Sequence, residues 1–409
     1  MDTQAQAKLW TKKYIIMVIF NFLTGMNYYS IMSIIPRYTI NVFHLSESQA
    51  GVAAGVFIVG ILSSRIFAGK FVTVIGHKKM QILGFCLMVI VTTFYLFADS
   101  PALLIIVRFL NGAAFGITAN TNVTIVSSIV PRERAGEGMG YYSMFQMIAM
   151  AIGPFFGLLL SGEENYNAVF IFSTILPAAA FILLPFLNWD ELKVPVVKND
   201  AIDSVKQVEN SEKLKPIDNF IERKVLPISL FMFSVIIAYS TLLPFMSVYA
   251  EKKDLTETAN YFFIVYAAAI LVTRPFVSRL FDKKGPNVVL TPAIILISLA
   301  FVLLIRANSP FTLLMSAVVF GVGFGGLQTS TLALVVHRAT KDRMGIANAT
   351  YYMSLDLSSS LAPMIGGALI LALGYDKYYT IAAIWTLLCL PFYYLLIGRK
   401  YFKKNKEAN

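Results

Sequence analysis

Charge is scarce in this chain of 409 residues: 14% are Asp, Glu, Lys or Arg, 57% are hydrophobic, and mean hydropathy is +0.68. That balance excludes an ordinary soluble domain. Cysteine is nearly absent, and Cys86 and Cys389 both fall in apolar stretches, which excludes a disulfide framework and a thiolate metal site. The three histidines, His44, His77 and His337, are too scattered for ligand spacing, so neither a metal nor a cofactor is expected. The apolar stretches hold no His cluster, no paired carboxylates and no nucleophile beside a base, which argues against an enzyme. A cleavable leader is not expected either: Lys12 and Lys13 precede an apolar run too long for one, with no small-residue cleavage pattern after it.

What the chain has in abundance is apolar runs of about 20 residues, the length that crosses roughly 30 Å of hydrocarbon as a helix. Twelve are expected to be membrane spans: 14–36, 49–70, 80–98, 102–128, 138–160 and 166–188, then 225–250, 258–280, 287–305, 310–336, 344–372 and 378–398. The one long polar stretch, 189–224, has the composition of a solvated linker. The expected organisation is an all-α integral membrane protein with an N-terminal six-helix bundle (1–188), a linker (189–224) and a C-terminal six-helix bundle (225–409).

Basic residues mark orientation, because cytoplasmic loops carry the excess. Lys8, Lys12 and Lys13 lie at the N-terminus, and Arg399, Lys400, Lys403, Lys404 and Lys406 at the C-terminus. The loops after even-numbered spans hold Lys70, Lys78, Lys79, Arg132, Arg134, Arg279, Lys283, Lys284, Arg338, Lys341 and Arg343. The opposite loops hold only Arg37, Lys252, Lys253, Arg306 and Lys377. Both termini and the linker are therefore expected in the cytoplasm. The net charge of +11 then belongs to the inner membrane surface, and no nucleic-acid partner is expected.

Shifting the sequence by 209 residues lays one half on the other. Arg65 meets Arg274, Gly76 meets Gly285, Gly112 meets Gly321, and Phe115 and Gly116 meet Phe324 and Gly325. Pro154 and Gly157 likewise meet Pro363 and Gly366. Parallel six-helix repeats are the architecture of secondary transporters whose halves alternate about a central site.

Three short patterns narrow this. The loop after span 2, "GKFVTVIGHKK", holds Gly69, Gly76, Lys78 and Lys79, and its second-half copy "SRLFDKKG" holds Asp282 and Gly285. Span 4 carries "RFLNG", Arg108 to Gly112. Span 5 carries "GYYSMFQMIAMAIGPFFG", with Gly140, Gly153, Pro154 and Gly157. With these patterns the chain, over nearly its whole length, resembles the major facilitator superfamily in its twelve-helix drug/proton antiporter type. The resemblance implies the major facilitator fold and export in exchange for protons. It also implies a gating role for the loop residues, with Asp282 the intact acid and Thr73 standing where the first loop usually has aspartate. The gating set is then Gly69, Gly76, Asp282, Gly285, Gly153 and Pro154, with Arg65 and Arg274 compatible with it. Spans 1, 4, 7 and 10 line the cavity in that family, which here offers Asn21, Thr24, Tyr28, Tyr239, Gln328 and Thr331.

Few charges lie inside spans: Arg65, Arg108, Arg274 and Asp356. Each mid-membrane charge costs roughly 2.5 to 3.5 kcal/mol on insertion scales. Arg65 and Arg274 are near enough to the basic ends to snorkel. Arg108 is deeper and heads a stripe at helical spacing, with Asn111, Phe115, Thr118 and Asn122, that suits either a water-filled cavity or polar packing between helices. Asp356 lies about 20 Å into span 11. A carboxyl group kept from water can hold its proton near neutral pH, so Asp356, with Arg108, is the candidate for proton coupling. A fixed salt bridge to Arg65 or Arg108 and direct contact with a cationic substrate remain alternatives. The expectation is a monomeric proton-driven exporter of small amphipathic compounds in the cell membrane, its partners substrate, protons and lipid. A dedicated metabolite or metallophore exporter is the alternative within transport, and a non-transporting receptor the alternative outside it.

Overall fold

A computed structural model describes residues 8–131, 134–187, 189, 221–340 and 343–399, apart from the side chains of 65–74, 135, 136, 163 and 345. Among the described residues there is no strand, and twelve segments are long and apolar enough to cross a membrane. Hydrocarbon offers no partner to a backbone amide, so each span must satisfy its own, and a helix does so.

The first half contains α1 (Lys12–Phe43), α2 (Glu47–Ile75), α3 (His77–Thr93), α4 (Pro101–Ile129), α5 (Ala135–Leu160) and α6 (Tyr166–Leu183). The second contains α7a (Leu226–Tyr239), α7b (Leu242–Lys252), α8 (Thr256–Lys284), α9 (Asn287–Ile305), α10 (Pro310–Arg338), α11 (Met344–Leu373) and α12 (Tyr375–Tyr393). The repeat is visible in the starts: Glu47 and Thr256, Pro101 and Pro310, Ala135 and Met344, and Tyr166 and Tyr375 each differ by 209. Local chemistry repeats with it. Ser100 caps α4 by accepting from the Leu103 amide at 3.4 Å, and Ser309 caps α10 by accepting from Thr312 at 3.3 Å, each before a proline that fits the first helical turn. Gly76 and Gly285 turn the chain with φ of 85° and 79°, a conformation that side chains other than glycine rarely adopt.

Span 7 departs from the expectation of one continuous helix. Pro244 has no amide hydrogen for the Ser240 carbonyl, and the helix opens at Ser240 and Thr241. α1, which holds Pro36, stays helical throughout.

Two compact units result, and both interrupt the first two helices. One takes the chain up to Met32 and from Val59 through the rest of the first half; the other takes Ser33–Ile58 with the second half. In the first unit, Tyr14, Phe20, Phe85, Met88, Ile125 and Val126 build a core from α1, α3 and α4. Gly116 lies on Ile61 of α2 there, and its repeat partner Gly325 lies on Ile270 of α8 in the second unit. These two contacts also differ by 209 at both ends.

In the second unit, α2 and α11 meet backbone to backbone. A Cβ at Gly51 would overlap the Pro363 carbonyl, one at Gly367 would overlap the Glu47 carbonyl, and the Ser360 hydroxyl donates to the Gly55 carbonyl at 3.2 Å. At the same end, Arg37 pairs with Glu251 at 2.8 Å, Lys252 with Glu47 at 2.9 Å and Lys253 with Asp376 at 3.2 Å. Three of the five basic residues expected opposite the basic loops are thus neutralised locally.

The seam predicts a contrast between two glycines. Gly51→Val pushes a side chain into backbone that cannot turn aside and is expected to destabilise by about 1–3 kcal/mol, read as a lower unfolding midpoint in detergent. Gly140→Ala, where a Cβ meets nothing within 4 Å, leaves the midpoint unchanged or slightly raised.

Candidate transport site

The α4 stripe divides into two sets. Arg108, Asn111, Thr118 and Asn122 are each fully buried in the first unit. Arg108 donates to the Tyr95 hydroxyl at 3.4 Å and sits 3.3 Å from the Met32 sulfur. Tyr95 donates to Asn111 Oδ1 at 3.5 Å, and the Asn111 amide donates to Thr92 at 3.1 Å. Asn27 of α1 donates to the same Thr92 hydroxyl at 3.3 Å and to the Ser173 carbonyl of α6 at 2.8 Å. Further along, Gln81 donates to Asn122 at 3.0 Å, and Gly84 leaves the room that Thr118 fills. The geometry is that of polar packing between helices, the second of the two readings open to the stripe. Its other members, Gln81 and Thr92 of α3 and Tyr95 in the turn that follows, escaped the sequence reading, although polar groups in a largely apolar span were a signal.

Phe115 behaves differently. It is half-buried and its ring lies 5.5 Å from that of Tyr28, which lies 4.7 Å from Tyr29. In the second unit its repeat partner Phe324 stacks on Tyr239 at 4.4 Å with planes 9° apart, and the hydroxyls of Tyr239 and Tyr266 hydrogen-bond. The same turn of α4 and α10 therefore carries a ring against a tyrosine of α1 or α7a. Face-to-face and tilted rings of this kind offer apolar surface with a polar edge.

The remaining expected contacts are structural or half-exposed. Asn21 is buried and donates to the Tyr142 carbonyl of α5 at 2.8 Å. Thr24 donates to its own helix at Phe20. Gln328 is half-buried one turn beyond Phe324, while Thr331 beyond it is buried against the Tyr351 hydroxyl at 2.9 Å.

Among the gating candidates, the side chain of Arg65 lies outside the described residues, as does position 69 beyond its helical backbone. A Cβ at Gly153 would lie 2.6 Å from the Tyr29 Cβ, so that glycine lets α5 approach α1, next to Pro154. Arg274 is half-buried on α8, beside Pro275, and Asp282 is exposed in its last turn. Arg134 and Arg343 occupy equivalent positions before α5 and α11. Arg134 pairs with Glu137 at 2.8 Å, a hydrogen bond that raises the guanidinium above its ordinary value, whereas Arg343 pairs with the buried Glu222.

Asp356 is half-buried, with Oδ2 buried. It stands twelve residues into α11, about 18 Å from its start. Its repeat counterpart is Met147.

Twelve spans in two copies of one six-helix pattern, with aromatic rings at the same turn of each, define a secondary transporter and not an enzyme. The sequence pattern of the Major Facilitator Superfamily matches residues 17–307 and 263–409, and the chain belongs to that family. It is similar to the multidrug resistance protein MdtG of Yersinia enterocolitica, 24% identical over 100% of this chain and 98% of that one. It is similar also to the multi-drug resistance efflux pump PmrA of Streptococcus pneumoniae, 26% identical over 91% and 92%. Among solved structures, a POT family transporter in complex with 5-aminolevulinic acid superposes with a TM-score of 0.75 at 15% identity, covering 94% of this chain and 96% of that one. The nucleoside transporter NupG does so at 0.75 and 14%, covering 94% and 100%.

The buried network gives a test of the packing role. Asn111→Ala strips partners from Tyr95 and Thr92 and is expected to lower stability by about 1–3 kcal/mol. Half-saturating substrate concentration in transport should stay unchanged, whereas Phe115→Ala should raise it with a smaller effect on stability.

Proposed function

We propose that this transporter exports small amphipathic compounds in exchange for protons, and that Asp356 carries the proton. The observation behind the reading is the carboxylate halfway along α11 where the first repeat has Met147. In hydrocarbon the neutral acid is favoured and in water the anion, so a group alternately exposed to the two sides loads on one and releases on the other. One proton moving inward against a neutral substrate draws about 2.3 kcal/mol per 100 mV from the membrane potential.

In the first unit the half-exposed rings of Tyr28 and Phe115, and in the second the ring of Tyr239 with Gln328, are suited to stack on and hydrogen-bond a substrate of sizeable apolar surface. The likeness to a multidrug resistance protein and a multi-drug resistance efflux pump supports export of many compounds over a single metabolite. In this reading Arg108 works as the pin of the α3–α4 network, holding Tyr95 and the α1 turn at Met32 in register. The basic ends of the helices face the cytoplasm, the chain works as a monomer in the cell membrane, and the two six-helix repeats joined by 189–224 alternate. Asp282, Arg65 and Arg274, with Gly69, Gly76, Gly285, Gly153 and Pro154, belong to that alternation.

The test uses the full-length chain in proteoliposomes with ethidium as probe. The native protein should accumulate ethidium against its gradient when a pH gradient is imposed. Asp356→Asn should lose pH-driven accumulation by tenfold or more yet still exchange ethidium downhill. Accumulation equal to native in the variant would refute the assignment.

A further inference from the structure

The break in span 7 lies against α11 one turn from Asp356, and two serines make the contact. The hydroxyls of Ser240 and Ser359 are 3.1 Å apart. Both residues stand four before a proline, Pro244 and Pro363, so each carbonyl loses its helical donor and each helix is locally free to bend. Their neighbours are fixed. Thr241 is buried, bonded to the Tyr378 hydroxyl at 2.8 Å, and seated where a Cβ at Gly366 would overlap its methyl. Beyond Pro363, α11 is wedged against Gly51, and Ser360 holds the Gly55 carbonyl. The serine pair is thus the adjustable contact between two anchored segments.

The repeat shows that this contact is not inherited from the fold. The first-half counterparts of Ser240, Ser359 and Asp356 are Ile31, Met150 and Met147, while Pro154 keeps the proline that matches Pro363. All three polar groups occur together in one copy and are absent together from the other.

We propose that Ser240 and Ser359 are a positioning pair that ties the charge on Asp356 to the α7 break, and so to the ring of Tyr239 at the end of α7a; this rests on the reading of Asp356 as the proton carrier. Ser359 stands three residues after Asp356 on the same helix. With the acid neutral, the Ser359 hydroxyl stays on Ser240 across the 3.1 Å contact. With the acid ionised, the carboxylate competes as the stronger acceptor, draws the Ser359 hydroxyl to itself and releases Ser240. Hydroxyl bonds between membrane helices are weak enough to exchange in every cycle. The ring of Tyr239, stacked on Phe324, then follows the break.

The experiment is a mutant cycle read by hydrogen exchange over residues 238–246 of the full-length protein in nanodiscs, at one pH. Asp356→Asn, which fixes the neutral form, should slow exchange there about fivefold. In a Ser240→Ala, Ser359→Ala background the same change should alter exchange by less than about twofold, and Ser359→Thr, which keeps a hydroxyl, should preserve the full effect. An equal effect with and without the serine pair overturns the proposal, as does no effect of Asp356→Asn in the native background or a Thr variant that behaves like Ala. The proton-carrier reading fails separately: pH-driven ethidium accumulation that survives Asp356→Asn contradicts it whatever the exchange cycle shows.

Discussion

A polar group inside a bilayer has to find its partner within the protein, and the arrangement of this chain follows from that requirement. Helices satisfy nearly all the backbone. Where a proline withholds an amide, a carbonyl is released; the helix opens there at Pro244 and stays continuous at Pro36 and Pro363. Pro36 releases the Met32 carbonyl where the two compact units divide α1, Pro244 opens span 7, and Pro363 frees the turn at Ser359. Side-chain polarity gathers under the same rule into two sets, the network around Arg108 and Asn111 in the first unit and the serine and tyrosine contacts of α7, α8, α11 and α12 in the second.

The fold was legible because length and hydropathy are sufficient cues in hydrocarbon, and the repeat was legible because it is carried by glycine and proline. At Gly116 a Cβ would overlap Ser64, and at its partner Gly325 a Cβ would sit tightly, 3.3 Å from Ile270. The site was less legible. Spacing put Arg108, Asn111, Phe115, Thr118 and Asn122 on one face, but a face is about 100° wide and the neighbours of its two edges differ. Arg108 meets Tyr95 just after α3, the amides meet α3, and Phe115 meets Tyr28; no periodicity separates those outcomes. Span 7 read as one helix for a related reason: its hydropathy is continuous, and what breaks it is one missing amide hydrogen. Ser240 and Ser359 went unnoticed because a serine in a span is ordinarily satisfied by its own helix, as Ser354 and Ser358 are here.

The two halves share a scaffold and differ in chemistry. Both have the capped α4 and α10, the positive-φ glycines and the ring at position 115 or 324. The first spends its polarity on buried packing, whereas the second places a carboxylate and two hydroxyls around a broken helix. In the proposed reading a symmetric scaffold serves alternation, and the asymmetry gives a proton somewhere to act.

The most direct measurement of that claim is proton release. Full-length protein in weakly buffered detergent solution, given ethidium, should release protons as the compound binds, and Asp356→Asn should release none while still binding it. Equal release from the variant, or binding by the native protein with no proton released, would contradict the account.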